Sequence, residues 1–140
     1  MTFLLDTNVT SELRRASKAD PRVVEWARRQ DPAELYLSVI SVLEVEIGAL
    51  LVERKDRAQG ALLLDWLNNQ VLTGFGSRIL PIDVSVARRC ARLHIPDPRA
   101  DRDALIAATA LVHGFTVVTR NVRDFEPMTV PTLNPWTAAT

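Results

Sequence analysis

The chain has 140 residues, the size of one domain, and its 47% hydrophobic and 24% charged residues allow a real core and exclude a disordered chain. Seventeen basic residues balance seventeen acidic ones, so overall charge does not mark a nucleic-acid binder and leaves that question to local clusters. The single cysteine, Cys90, excludes an intramolecular disulfide and a cysteine-built zinc site; among Ala87, Ala91 and Leu93 it reads as a small core residue in a reducing compartment.

In chain order, residues 2–5 form a short apolar strand that stops at Asp6, and Thr7 or Asn8 can cap a helix through about Arg15. Pro21 marks the next helix start, with Asp20 as its cap and Asp31-Pro32 as its end. Leu35 to Ile40 is a second strand. Ser41 then opens a long helix, Val42 to about Lys55, with Leu43, Ile47, Leu50 and Leu51 on one side. Arg57 to Leu72 is another helix, broken at Gly74-Phe75-Gly76. Arg78 to Ile82 is a third strand, placed near an edge by its proline. Asp83 caps a helix from Val84 to about His94, and Pro96-Asp97-Pro98 is a rigid loop.

The helix Ala100 to Ala110 is small and apolar, with acids in its first turn, and it feeds a β-branched strand at 115–119. A turn near Val122 to Pro127, a weak strand Thr129 to Leu133 and a loose tail Asn134 to Thr140 complete the chain. Strands alternating with amphipathic helices predict an α/β domain with a mostly parallel sheet, spanning residues 1–140 as one unit. No charged-then-apolar leader and no membrane-length apolar run occurs, which predicts a cytoplasmic protein.

Four acids fall where such a sheet places a site, outside the carboxyl ends of its strands. Asp6 follows the first strand, Glu44 lies just past the second, Asp124 just past the fourth, and Asp103 starts the helix before the fourth. Each alone has an ordinary explanation: Asp6 as a cap on the helix after it, a Ser41-x-x-Glu44 capping box, helix-dipole acids at Asp101 and Asp103, a capped turn at Asn121-x-x-Asp124. Together they require four independent caps at one edge. A carboxylate cluster without histidine or cysteine suits a hard cation, Mg²⁺ or Mn²⁺. Such an ion relieves the mutual repulsion and serves phosphoryl chemistry. The aromatic content, 6% and scattered, gives no sugar cleft for a two-carboxylate glycosidase.

Four segments carry a resemblance: Phe3-Leu4-Leu5-Asp6-Thr7-Asn8-Val9, Ser38-Val39-Ile40-Ser41-Val42-Leu43-Glu44, Asp103-Ala104-Leu105-Ile106-Ala107-Ala108-Thr109-Ala110 and Thr119-Arg120-Asn121-Val122-Arg123-Asp124-Phe125. In this order the chain resembles the PIN-domain ribonucleases, specifically the VapC-type toxins of toxin–antitoxin pairs and their FitB-like branch. The resemblance implies a three-layer α/β/α domain and Mg²⁺- or Mn²⁺-dependent endoribonuclease activity. Asp6, Glu44 and Asp103 match the principal acidic positions, and Asp124 the variable fourth, a role Asn121 is close enough to share. Thr7, Asn8, Ser41 and Thr119 match polar residues that orient carboxylates or water. The implied reaction is in-line attack of a metal-activated water on an RNA phosphodiester, leaving 5′-phosphate and 3′-hydroxyl ends.

Candidate RNA-holding cations flank the matched acids: Arg99, Arg102, Arg120 and Arg123, with Arg14, Arg15 and Lys18 after the first helix. The resemblance further implies a cognate antitoxin protein, a homodimer, and contact with operator DNA only through the antitoxin, since the chain carries no DNA-binding motif. The rival readings are another metal-dependent phosphoryl enzyme, either a DNA nuclease or a phosphatase, and a non-catalytic binding module. An aspartyl-phosphatase would want Asp where Asn8 stands, and a receiver domain would want lysine where Arg120 stands.

Overall fold

The structure is a computed structural model that describes residues 1–137. Five parallel strands, β1 Phe3–Leu5, β2 Leu35–Ser38, β3 Ile79–Leu80, β4 Thr116–Val118 and β5 Thr132–Leu133, line up in the order β3-β2-β1-β4-β5. β1 holds the centre, with Phe3 paired to Leu35 on one side and to Thr116 on the other. β3, which stops just before Pro81, is an edge strand, as the proline predicts.

Helices cover both faces, giving the three-layer α/β/α arrangement. They are α1 Thr7–Glu12, α2 Pro21–Arg28, α3 Val39–Lys55, α4 Arg57–Trp66, α5 Leu72–Phe75, α6 Val84–Leu93, α7 Asp101–His113 and α8 Val122–Phe125. Strand alternation divides the core in two. Leu4 and Val117 point to one face, where they meet Val86, Cys90, the α7 residues Ile106 to Ala108, Phe125 and Met128. Phe3, Leu5 and Val118 point to the other, against Val9, Val23, Trp26, Leu67 and Val71. Phe3 and Trp26 pack edge to face at 5.1 Å between ring centroids. Cys90 is buried, as expected.

The helix after β2 starts three residues earlier than its sequence suggests. Ser38, with extended backbone, is the cap: its hydroxyl accepts the Ile40 N–H at 3.0 Å. Ser41 is therefore inside the helix and Glu44 in its second turn, so the Ser41–Glu44 capping box does not form. The inward side of α3 carries Ile40, Ser41 and Ala49, while Leu43, Leu50 and Leu51 face outward, 45–57% exposed. Leu62 of α4 joins them at 55%. α3 and α4 meet closely at Gly60, where an added Cβ would lie 2.4 Å from the Glu53 Cα.

The helix from Arg57 does not end at Leu72; it continues through a π turn, Leu67–Val71, into α5. Gly76, at φ 53°, then ends it in a conformation that favours glycine. β5 begins only at Thr132, because Thr129 turns the chain at φ 55°. The tail is not loose up to Thr137: Trp136 is 6% exposed and belongs to the second core. Residues 138–140 of that expected loose tail lie outside the described residues. Among the described residues no helix is long and apolar enough to cross a membrane.

Candidate active site

Parallel strands deliver their carboxyl ends to one edge. β1 ends at Leu5 and hands on Asp6; β2 ends at Ser38 and hands on the α3 residues Ser41 and Glu44; β4 ends at Val118 and hands on Thr119, then Asn121 and Asp124. α7 precedes β4 and runs against the strands, so its first turn, with Asp103, begins at the same edge.

Asp6 is the buried centre, 5% exposed. Its backbone N–H donates to the Val118 carbonyl at 2.8 Å, which continues the sheet ladder one residue past β1. Its carboxylate caps α1 by accepting the Thr7 N–H on Oδ1 at 2.8 Å. Oδ2 accepts the Thr119 hydroxyl at 2.8 Å and the Asn8 amide at 3.2 Å. Thr119 is itself fully buried and accepts the Asn121 N–H at 2.9 Å, while the Asn8 carbonyl accepts the Arg120 N–H at 3.2 Å. The Thr7 hydroxyl lies between α1 and α3, 2.7 Å from Glu44 Oε1 and 3.0 Å from Ser41 Oγ. The five polar residues singled out from sequence, Thr7, Asn8, Ser41, Thr119 and Asn121, thus form one network around Asp6 and Glu44.

The acids act on one another. Burial holds the Asp6 carboxyl above its ordinary range, hydrogen bonds from Thr119 and the Thr7 amide pull it back, and the charges of Glu44 and Asp124 push it further up. Asp103 is pushed up to about 6, first by partial burial and then by Asp6, Asp124 and Glu44. Asp6 and Asp103 therefore both carry the repulsion of neighbouring acids. The nearest counter-charge is Arg102, whose Nη1 stands 3.8 Å from Glu44 Oε2. Asp124 is exposed, as are Arg120 and Arg123; Arg120 lies over the Trp136 ring at 5.2 Å. Asp101 is exposed and, among the described residues, pairs only with His94, 3.7 Å away.

The donor chemistry fits a hard divalent cation: carboxylates alone, with the proton affinities of Asp6 and Asp103 raised by burial and by the neighbouring acids. Among the described residues no three Asp, Glu, His or Cys side chains are gathered tightly enough to cage an ion by themselves. Mg²⁺ does not need that, since it is commonly held by one or two carboxylates, with waters and substrate phosphates completing its shell.

One feature escaped the sequence reading. A groove of about 260 Å³ runs beside Glu44 between α1, α3 and α4, lined by Thr7, Arg14, Gly48, Ala49, Val52 and Trp66, among others. The adjacent small residues Gly48 and Ala49, one turn past Glu44, were its available signal.

Fold and site define a PIN-type α/β domain with an acidic strand-end site. The PIN domain family matches residues 3–128, and the chain belongs to that family. It is 36% identical to the VapC ribonuclease Y4jK of Sinorhizobium fredii, covering 98% of this chain and 99% of that one. It is 39% identical to the toxin FitB of Neisseria gonorrhoeae, over 96% and 98% of the two chains. Among solved structures, FitAcB from N. gonorrhoeae superposes with a TM-score of 0.88 at 35% identity, covering 98% of this chain and all of that one. A toxin–antitoxin complex from Klebsiella pneumoniae superposes with a TM-score of 0.71 at 25% identity, covering 98% of this chain and 100% of that one.

Proposed function

We propose that this chain, working as a single domain over residues 1–140, is a metal-dependent endoribonuclease and the toxin of a toxin–antitoxin pair, acting in the cytoplasm. The observation that carries the reading is the meeting of Asp6, Glu44, Asp103 and Asp124, from four separate segments, at one sheet edge with raised proton affinities at Asp6 and Asp103. Relatives named ribonuclease and toxin, aligned along nearly the whole chain, support it.

Asp6 and Asp103 would hold Mg²⁺ or Mn²⁺, with Glu44 and Asp124 completing the acidic wall. When bound, such an ion supplies Lewis-acid stabilisation of charge on the phosphodiester and lowers the pKa of water. Thr119, Asn8 and the Thr7 amide fix the orientation of the Asp6 carboxylate, and the Thr119 and Thr7 bonds favour its ionised form against its burial. The Thr7 hydroxyl ties Glu44 to the same frame. With no ion bound the Asp103 carboxyl is pushed up to about 6, so a cation held there would displace its proton and relieve the crowding of the acids. Arg102, Arg120 and Arg123 stand at the rim, where they would meet RNA phosphates.

The partner set follows the same reading. The antitoxin's segment would dock in the groove beside Glu44, with Arg14 at its rim, and operator DNA would be reached only through the antitoxin. The outward leucines 43, 50, 51 and 62 would pair two copies into a homodimer.

The test is to incubate antitoxin-free protein with a mixed RNA pool in Mg²⁺, in Mn²⁺ and in EDTA, and to map the product ends. Cleavage that requires the ion and leaves 5′-phosphates is expected. Cleavage in EDTA, or 2′,3′-cyclic phosphate ends, would overturn the reading.

A further inference from the structure

We propose that Arg88, Arg89 and Arg92 of α6 form a second phosphate-binding surface, which holds the RNA strand outside the acidic site. This rests on the ribonuclease reading above and extends it to substrate engagement away from the cut.

The three arginines share one side of α6. Val86 and Cys90 point into the core, and Leu93 packs against it, leaving Ser85, Arg88, Arg89 and Arg92 on the outward face at i, i+3 and i+4 spacing. All three guanidinium-bearing residues are exposed, and no ion pair among the described residues involves any of them. Arg88 and Arg92, one turn apart, repel each other, as do Arg89 and Arg92. The chain as a whole is neutral. Four acids gather at the strand ends, while a basic ridge with no ion pair among the described residues runs along α6.

The ridge lines a shallow groove of about 390 Å³, closed on its far side by Val112 of α7 and at one end by Val84, which is 75% exposed. Guanidinium forks over an open groove with an apolar rim match a phosphate backbone with its sugars lying against the rim.

Position connects the ridge to the acids. α6 is capped at its C-terminus by His94, whose ring stands 3.7 Å from Asp101, the first residue of α7. The Arg99 N–H also donates to His94 Nδ1 at 3.1 Å, folding the intervening loop onto the same corner. The two helices therefore run antiparallel, and the ridge leads along α6 toward the α7 turn that carries Asp103. At 1.5 Å per helical residue, Arg88 lies roughly 9 Å along the axis from His94. A single strand seated at the acids can continue past Arg102 and Arg99 onto the ridge.

The experiment measures binding of a labelled 20-nucleotide single-stranded RNA of mixed sequence to the full chain carrying Asp6→Asn, so that cleavage does not intrude. The comparison is with the same protein carrying Arg88→Gln, Arg89→Gln and Arg92→Gln, and with the three Arg→Lys changes instead. Each phosphate contact on a single strand contributes about 0.7 to the slope of log K against log[salt]. The glutamine variant should bind about tenfold or more weakly at low salt, with a slope shallower by about 2. The lysine variant should keep most of both. In the cleaving protein, the same glutamine changes should raise KM for long RNA more than for a four-nucleotide substrate.

Equal affinity and slope in the parent and the glutamine variant would overturn the inference while leaving the ribonuclease reading standing. So would a variant that keeps RNA binding and instead loses binding of a protein partner or of duplex DNA. An Asp6→Asn parent that binds no RNA at low salt would overturn the inference together with the reading on which it rests.

Discussion

The Thr119 hydroxyl and Asp6 Oδ2 are 2.8 Å apart and 113 positions apart in sequence. This bond joins the ends of the two central strands, and it supplies a donor that only the ionised carboxylate uses fully. Thr119→Val keeps the shape and removes that donor. The Asp6 carboxyl should then rise further, and cleavage should fall about 10- to 100-fold, the usual effect of losing a group that orients a ligand. Thr119→Ser should restore most of it. Steady-state kinetics on one RNA substrate would check both, and a valine variant as active as the parent would show that Asp6 needs no such support.

The acidic cluster carries a sign for stability. Asp103 is pushed up to about 6 and Asp6 is also raised, while unfolded aspartates titrate near ~3.9. The folded state therefore holds protons that the unfolded chain has released. Stability from Asp103 is fully present below about pH 4 and lost as pH rises through about 6, and the raised Asp6 acts in the same direction. Asp20, held down to about 2 by Arg22, works in the opposite direction but in a lower window. Metal-free protein should thus melt progressively lower between pH 4 and 7, and Asp103→Asn should flatten that slope. Parallel melting curves for the two proteins over this range would contradict the coupling.

Trp136 gives a prediction about the fold rather than the chemistry. It is buried in the second core and carries Arg120 over its ring. Trp136→Ala should cost about 3–5 kcal/mol in urea unfolding, the ordinary effect of emptying a buried indole site. A loss below about 1 kcal/mol would mean that the C-terminal segment packs only weakly.

Much of this was legible in the sequence, for identifiable reasons. The β1–Asp6 junction and the α7–β4 unit could be read because apolar runs end abruptly at polar residues, and parallel α/β topology sends such ends to one edge. The start of α3 was misplaced because Ser38 and Ser41 both qualify as caps. The choice between them is tertiary: strand pairing with β1 and β3 holds the chain extended to Ser38, and Thr7 engages Ser41 from α1. The leucines of α3 do share one side, as their spacing predicts, but it is the outward one; the inward side carries Ile40, Ser41 and Ala49, and the small polar or weakly apolar Ser41 and Ala49 do not mark it in the sequence. Trp136 was lost in a tail that looks polar and proline-bearing but folds back onto the sheet. The bonds around Asp6 link residues from distant segments, and no local pattern encodes them.

In the proposed function, Asp6 and Asp103 hold the ion that cleavage requires. The most direct measurement is Mn²⁺ binding by calorimetry alongside cleavage of the mixed RNA pool, for the parent and for Asp6→Asn/Asp103→Asn. The account predicts that the double variant stays folded, melts no lower than the metal-free parent near neutral pH, binds Mn²⁺ at least 100-fold more weakly and shows no cleavage above background. A folded double variant that still binds the ion and cuts RNA at the parent's rate would contradict it.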